Sequence, residues 1–171
     1  VRDVDPAVVP NPALLPVLGN PIRLRQMLDN LIGNAVKYTS EGGIVTIKMS
    51  VEEEQLITSI KDSGIGIPLS DQAHIFDKFY RASNAPKGVP GTGLGLAVVY
   101  GVVRQSGGAI SVDSAPGQGS VFTVYLPETW RPGGMRDQSI LLHELVHHVQ
   151  RFNKVVPVCP AAFRYLSHQA T

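Results

Sequence analysis

The chain has 171 residues, 43% hydrophobic and 17% charged, with a formal net charge of +1. This is the composition of one ordinary globular domain with a small appendage, and the near-neutral balance gives no footprint for nucleic acid or an anionic membrane. A single cysteine, Cys159, excludes an internal disulfide framework, and no apolar run approaches the roughly 18 residues of a membrane span.

The charge is uneven: residues 1–128 hold 10 Lys+Arg against 12 Asp+Glu, and residues 129–171 hold 5 against 2. The tail is therefore a different kind of segment, and we divide the chain into a main domain, 1–128, and a linker with a helical tail, 129–171. The N-terminus lacks the basic-then-apolar order of a signal peptide. Such a piece is expected in the cytoplasm, as a soluble part of a parent that can still carry membrane helices.

Val1 to Asn20, with Pro6, Pro10, Pro12 and Pro16, reads as extended chain or an edge strand. Pro21 suits the first turn of a helix capped by Asn20 and running to about Tyr38. Its apolar residues fall at Met27/Leu28, Leu31/Ile32 and Ala35, a helical period. Asn30, Asn34 and Lys37 share another stripe. Two carboxamides and an ammonium make poor core. They suit a hard metal ion and phosphates, although one helix in isolation reads equally as a solvated face. Ile44–Val51 and Gln55–Asp62 alternate as two strands around the charged tip Glu52-Glu53-Glu54. The second strand delivers Asp62 to its end where Gly64 and Gly66 begin a tight turn.

Leu69 to Ile75 reads as a short helix with Ser70 as a cap. Phe76, Phe79 and Tyr80 follow, at a spacing that usually means core. Ser83 to Pro90 has no apolar period and reads as a mobile loop that carries Lys87 and follows Arg81. Gly95 to about Gln105 is a second helix, apolar on most sides, ended by Ser106-Gly107-Gly108. Ala109–Ser114 and Ser120–Leu126 form a hairpin across Ala115–Gly119. Beyond the Pro/Gly-rich 127–134, a third helix is expected from Asp137 to about Arg151, and a short one near Ala161–Leu166.

Gly91-Thr92-Gly93-Leu94-Gly95-Leu96 does not follow a strand, so it is no dinucleotide fingerprint, and there is no P-loop lysine. It still offers backbone N–H groups to an anion and leads into a helix N-terminus. The carboxylate of Asp62 is suited to accept from an exocyclic amine such as that of adenine.

The order of these parts resembles the ATP-binding catalytic domain of bacterial sensor histidine kinases, over about residues 12–127. Asn30-x-x-x-Asn34-Ala35-x-Lys37-Tyr38 is similar to the N box of that family. Asp62-x-Gly64-x-Gly66-Ile67 is similar to its G1 box, Ile75-Phe76-x-x-Phe79-x-Arg81 to its F box, and Gly91-x-Gly93-Leu94-Gly95-Leu96 to its G2 box. The resemblance implies an α/β two-layer sandwich (the Bergerat fold): a mixed, mainly antiparallel sheet covered on one face by helices. It implies ATP and Mg²⁺ as cofactors, with Asn34 ligating the metal beside Asn30, Lys37 on a phosphate, Tyr38 against the adenine and Asp62 on its amino group. It makes Asp77 to Gly95 a lid to which Phe79, Arg81, Thr92 and the glycine amides contribute. Partners implied are a phosphoacceptor histidine hairpin, a response regulator and a second copy of the parent; a nucleotide-binding regulatory role without phosphotransfer is the alternative. None of His74, His143, His147, His148 or His168 lies in such a hairpin, so we expect the chain to be a fragment or a module acting on a partner. Asn30 stands where hydrolysing relatives carry a glutamate base, so hydrolysis should be slow.

The tail holds His143-Glu144-x-x-His147, which resembles the zinc-binding helix of metallopeptidases and would put both imidazoles on one helix face with Glu144 as base. Some 40 residues surround it and no acid follows Glu144, so an amphipathic helix packed on the main domain is the competing expectation.

Overall fold

The structure is a computed structural model that describes residues 17–18, 20–52, 55–127, 139–140 and 163–167. Its elements in order are β1 (Val17–Leu18), α1 (Pro21–Tyr38), β2 (Val45–Glu52), β3 (Gln55–Asp62), α2 (Leu69–Gln72), α3 (Gly95–Gln105), β4 (Ala109–Ala115), β5 (Gly119–Pro127), β6 (Ser139–Ile140) and β7 (Phe163–Ser167). No helix among the described residues is long and apolar enough to cross a membrane.

The start of α1 is fixed locally. The Asn20 side chain accepts from the backbone N–H of Ile22 (3.0 Å) and Arg23 (3.2 Å), and Pro21 needs no donor there. Its apolar stripe, Leu24, Met27, Leu28, Leu31, Ile32 and Ala35, is buried. The helix ends at Thr39, whose hydroxyl returns to Ala35 O at 2.6 Å.

The main sheet has the order β4-β5-β3-β2-β7. All pairs are antiparallel except β7 on β2, which is parallel, so the sheet is mixed. Pairing puts Val112, Phe122, Ile60 and Ile47 in one row across four strands. The same alternation makes Leu56, Thr58, Ile60 and Asp62 of β3 buried and leaves Gln55 and Lys61 exposed. That face meets α1 and α3, whose Val99, Val102 and Val103 complete the core. The sandwich expected from the sequence is the one observed.

Several details differ. The helix expected over Leu69–Ile75 spans only Leu69–Gln72, and its cap position is Pro68, not Ser70. Backbone bonds from Asp71 N–H to Pro68 O and His74 N–H to Asp71 O replace a regular helix by successive tight turns. In the tail, Ser139–Ile140 pairs with Val17–Leu18 as a strand, and Phe163–Ser167 joins the main sheet where a short helix is expected. A free β2 edge is a stronger local demand than the weak helical tendency of Phe163-Arg164-Tyr165. His143, Glu144 and His147 lie outside the described residues.

Candidate functional site

A cavity of about 260 Å³ lies between α1, the ends of β3 and β5, and the segment that leads into α3. Asn30, Asn34, Lys37, Tyr38, Asp62, Gly66, Ile67, Arg81, Gly91, Thr92, Gly93, Gly95 and Leu96 all line it. Four stretches far apart in the sequence thus converge on one space. Gly64, Phe79 and Leu94 do not line it.

Asp62 forms one end. It is 6% exposed, and its Oδ1 accepts from the backbone N–H of Gly64 (2.9 Å) and of Ser120 (3.2 Å). Both bonds fall on Oδ1, leaving Oδ2 without a partner among the described residues. Burial pushes the carboxyl pKa up, against the downward pull of the Gly64 and Ser120 N–H groups. Gly64 therefore serves the site by holding Asp62. The β4–β5 hairpin closes in from behind. Ser114 Oγ accepts from Ile67 N–H (2.8 Å) and donates within the hairpin, to Gly119 O or Ser120 Oγ, each at 2.9 Å. Gly66 (φ +67°) and Gly119 (φ +78°) are left-handed, and a Cβ on either would collide with backbone, of Ala115 and of Asp62 respectively.

The other end is built by α1 and the start of α3. The Asn30 Nδ2 is spent on Gln26 O at 3.0 Å, which leaves Oδ1 as its outward atom. A Cβ on Gly95 would lie 3.0 Å from that Oδ1, and one on Gly91 2.7 Å from Lys37 Nζ. Glycine is thus what lets the loop approach the α1 stripe. Lys37 Nζ also sits 5.0 Å from the Tyr38 ring centroid. Leu94 occupies the N-cap of α3 and supplies no side-chain bond, so the first N–H groups of an 11-residue helix carry no side-chain cap. Amides, an ammonium and two carboxamide oxygens together suit an anion with a hard divalent cation.

Between the two ends runs the segment from Phe79 to Gly93. Its neck is closed by the Phe79 N–H bond to Gly93 O at 2.9 Å, and both residues have positive φ (67° and 71°). That backbone turns Phe79 outward, 72% exposed, which explains why it is absent from the cavity. Inside the neck, Arg81 donates to Val89 O (2.8 Å) and Gly91 O (3.5 Å). Asn84 Nδ2 reaches Gly66 O at 2.9 Å and ties the segment to the turn after β3.

Ile75 of the F-box-like stretch lines the cavity too; Ile65, Tyr80, Ala82, Asn84, Ala85, Ser120 and Phe122 also line it and are missed by motif reasoning. For Ser120 a signal existed: it follows Gly117-x-Gly119, a third stretch of alternating glycines. Phe122 reads only as part of a strand. Among the described residues no three His, Cys, Asp or Glu side chains converge on a metal-sized point.

Fold and cavity define a class: a two-layer α/β sandwich that keeps a cavity of mixed polar and apolar lining between its first helix, the ends of two strands and a glycine-necked segment. Within that class the chain belongs to the family of histidine kinase-, DNA gyrase B- and HSP90-like ATPases, which matches residues 19–129. This domain is the ATP-binding catalytic module of that family. The chain is 48% identical over 108 residues to the sensor histidine kinase WalK of Bacillus subtilis, an alignment covering 61% of this chain and 18% of WalK. Among solved structures it is similar to the mycobacterial sensor histidine kinase MprB (TM-score 0.61, 34% identity, 65% of this chain and 76% of that one). It is also similar to full-length ShkA in complex with AMPPNP (TM-score 0.54, 26% identity, 86% and 31%). The chain thus spans under a fifth of the length of WalK.

Proposed function

We propose that residues 1–128 are the kinase module of a two-component sensor, acting on the cytoplasmic side, and that residues 129–171 are an appendage. The module binds ATP with Mg²⁺ and presents the γ-phosphoryl group to a histidine on a helical hairpin of the parent protein, a homodimer, from which it passes to a response regulator. The convergence of the Asn30/Asn34/Lys37 stripe, Asp62 and Gly91–Gly95 on one cavity carries this reading.

Each role follows from chemistry already described. Asp62 accepts from the adenine amino group through the oxygen left over by Gly64 and Ser120, and Tyr38 lies along the base. Gly66 and Ile67 shape the turn beside it. Lys37 and the amides of Gly91, Thr92, Gly93, Gly95 and Leu96 neutralise phosphate charge, with Arg81 free to exchange its carbonyl partners for a phosphate. The carboxamide oxygens of Asn34 and Asn30 are hard neutral ligands that fit Mg²⁺ beside phosphates, and the metal bound there would supply charge neutralisation. No side chain of this domain takes up the phosphoryl group, so its catalysis is positioning and electrostatics. Asn30, neutral and bonded back to Gln26, is no base for water, which keeps hydrolysis slow.

Calorimetric titration of ATP with and without Mg²⁺ tests the assignment. Asp62→Asn should lose a hydrogen bond to a charged group, about 1.5–3 kcal/mol or roughly 10- to 100-fold in affinity. Asn34→Ala should abolish the Mg²⁺ dependence while retaining weak binding. A folded wild-type chain that does not bind ATP would sink the reading. Binding without phosphorylation of an added histidine hairpin would leave a regulatory nucleotide-binding module.

A further inference from the structure

Asp71 is a second buried acid, 5% exposed, and it does not line the cavity. Both of its oxygens are spent. Oδ2 accepts from Ser83 N–H at 2.6 Å and Ser83 Oγ at 2.8 Å; Oδ1 accepts from the Tyr80 hydroxyl at 3.1 Å and the Ser70 hydroxyl at 3.4 Å. The Ser83 bonds foremost hold its carboxyl below the usual range. The residues it grips, Tyr80 and Ser83, bracket Arg81 and Ala82, and Tyr80, Arg81 and Ala82 all line the cavity.

The element that carries Asp71 is itself fixed from the opposite side. A four-residue helix has too few bonds to hold its own place. Here Gln72 Nε2 donates to Ile67 O (3.0 Å) and Ser114 O (2.7 Å), anchoring α2 to the β4–β5 hairpin that also holds Asp62 through Ser120. One side of this short helix therefore grips the Asp62 end of the cavity, and the other grips the root of the lid.

We infer that Asp71 is a positioning residue for nucleotide phosphates: without touching the ligand it pre-orders the Tyr80–Ser83 root of the lid and so sets the Arg81 side of the cavity. The inference rests on the nucleotide reading given above. A lid root that is already ordered does not have to be ordered on binding, and that saving belongs to the phosphates the lid covers, not to the adenine.

The test compares Asp71→Ala, Asp71→Asn and Ser83→Ala in the full chain, reading Kd for AMP and for MgATP and the amide exchange of Ser83. Asp71→Ala should weaken MgATP by about 10-fold while AMP stays within about twofold, and Ser83 should exchange at least about 10-fold faster. Asp71→Asn should recover most of the loss. Its amide can turn the oxygen to the Ser83 N–H, which can only donate, while the Tyr80 hydroxyl reverses and accepts. Ser83→Ala, which leaves the acid in place, should cost about threefold in MgATP alone, and it carries the test if Asp71→Ala does not fold. Equal losses for AMP and MgATP, or no loss for MgATP, would overturn the inference. If the wild-type chain binds neither nucleotide, the site assignment itself falls. The Ser83 exchange rate then decides the positioning claim, and an unchanged rate in Asp71→Ala rejects it.

Discussion

Two buried carboxylates, Asp62 and Asp71, are pushed in opposite directions, and the reason separates their roles. Burial dominates at Asp62 and raises its pKa; donated hydrogen bonds dominate at Asp71 and lower it. A folded-state pKa above the unfolded value means that ionised Asp62 costs stability. Its favourable contribution is fully present below the unfolded pKa, near 3.9, and is lost as pH rises through the folded value. An asparagine keeps the Oδ1 acceptor for Gly64 and Ser120 and carries no charge. Asp62→Asn should therefore bind ATP poorly yet melt roughly 1–3 °C higher than wild type at pH 7, the gap closing toward pH 4. A variant that is less stable at pH 7 would show that the free oxygen has a structural partner. The same logic of space applies to glycine. Gly117 and Gly119 share a positive φ, but a Cβ at 117 meets open space and one at 119 meets the Asp62 backbone. Gly117→Ala should cost only the left-handed penalty, about 1–2 kcal/mol, and keep ATP binding. Gly119→Ala should cost more in urea unfolding and lose ATP binding as well.

At the level of elements, the pattern that forms α1 also carries the site. Its buried stripe sets the helix against the sheet, and the rotation this imposes aims Asn30, Asn34 and Lys37 at the cavity. Leu31→Ala should cost about 2–5 kcal/mol and lower the melting temperature by on the order of 10 °C, whereas Ile22→Ala, at a position 76% exposed, should change it little. Much of this was legible in the residues. Period and capping gave α1 and α3 at their observed bounds, alternation gave β3, and the spacing of polar residues gave the stripe and Asp62. The turns after Gln72 were not legible, because backbone bonds between residues three apart have no side-chain signature. Nor were Ser120, Asn84 and Asp71: each acts through a partner at least 12 residues away, and local pattern says nothing about such pairings. Phe79 misled because aromatics at that spacing read as core, while its left-handed backbone turns it outward.

For the whole molecule, the unexpected fact is that Phe163–Ser167 completes the sheet on β2. The cavity uses β3, β5 and α1, on the other side of β2, so tail and site should be separable. A chain ended at Glu128 is expected to keep its ATP affinity within about twofold. It should melt a few degrees lower and self-associate at high concentration through the bared β2 edge, as light scattering would register. Loss of ATP binding on truncation would instead tie the tail to the site. The neck between Phe79 and Gly93 has a broader consequence. Because the loop is pinched shut at its base, its length is nearly decoupled from the geometry it encloses. Closure entropy grows only logarithmically, so doubling such a loop costs on the order of 0.6 kcal/mol. Insertions between Pro86 and Gly88 thus leave the neck standing, together with the Asn84 and Val89 contacts that flank them, and this short tip becomes a place where selection or an engineer can change what the domain touches without redesigning what it holds.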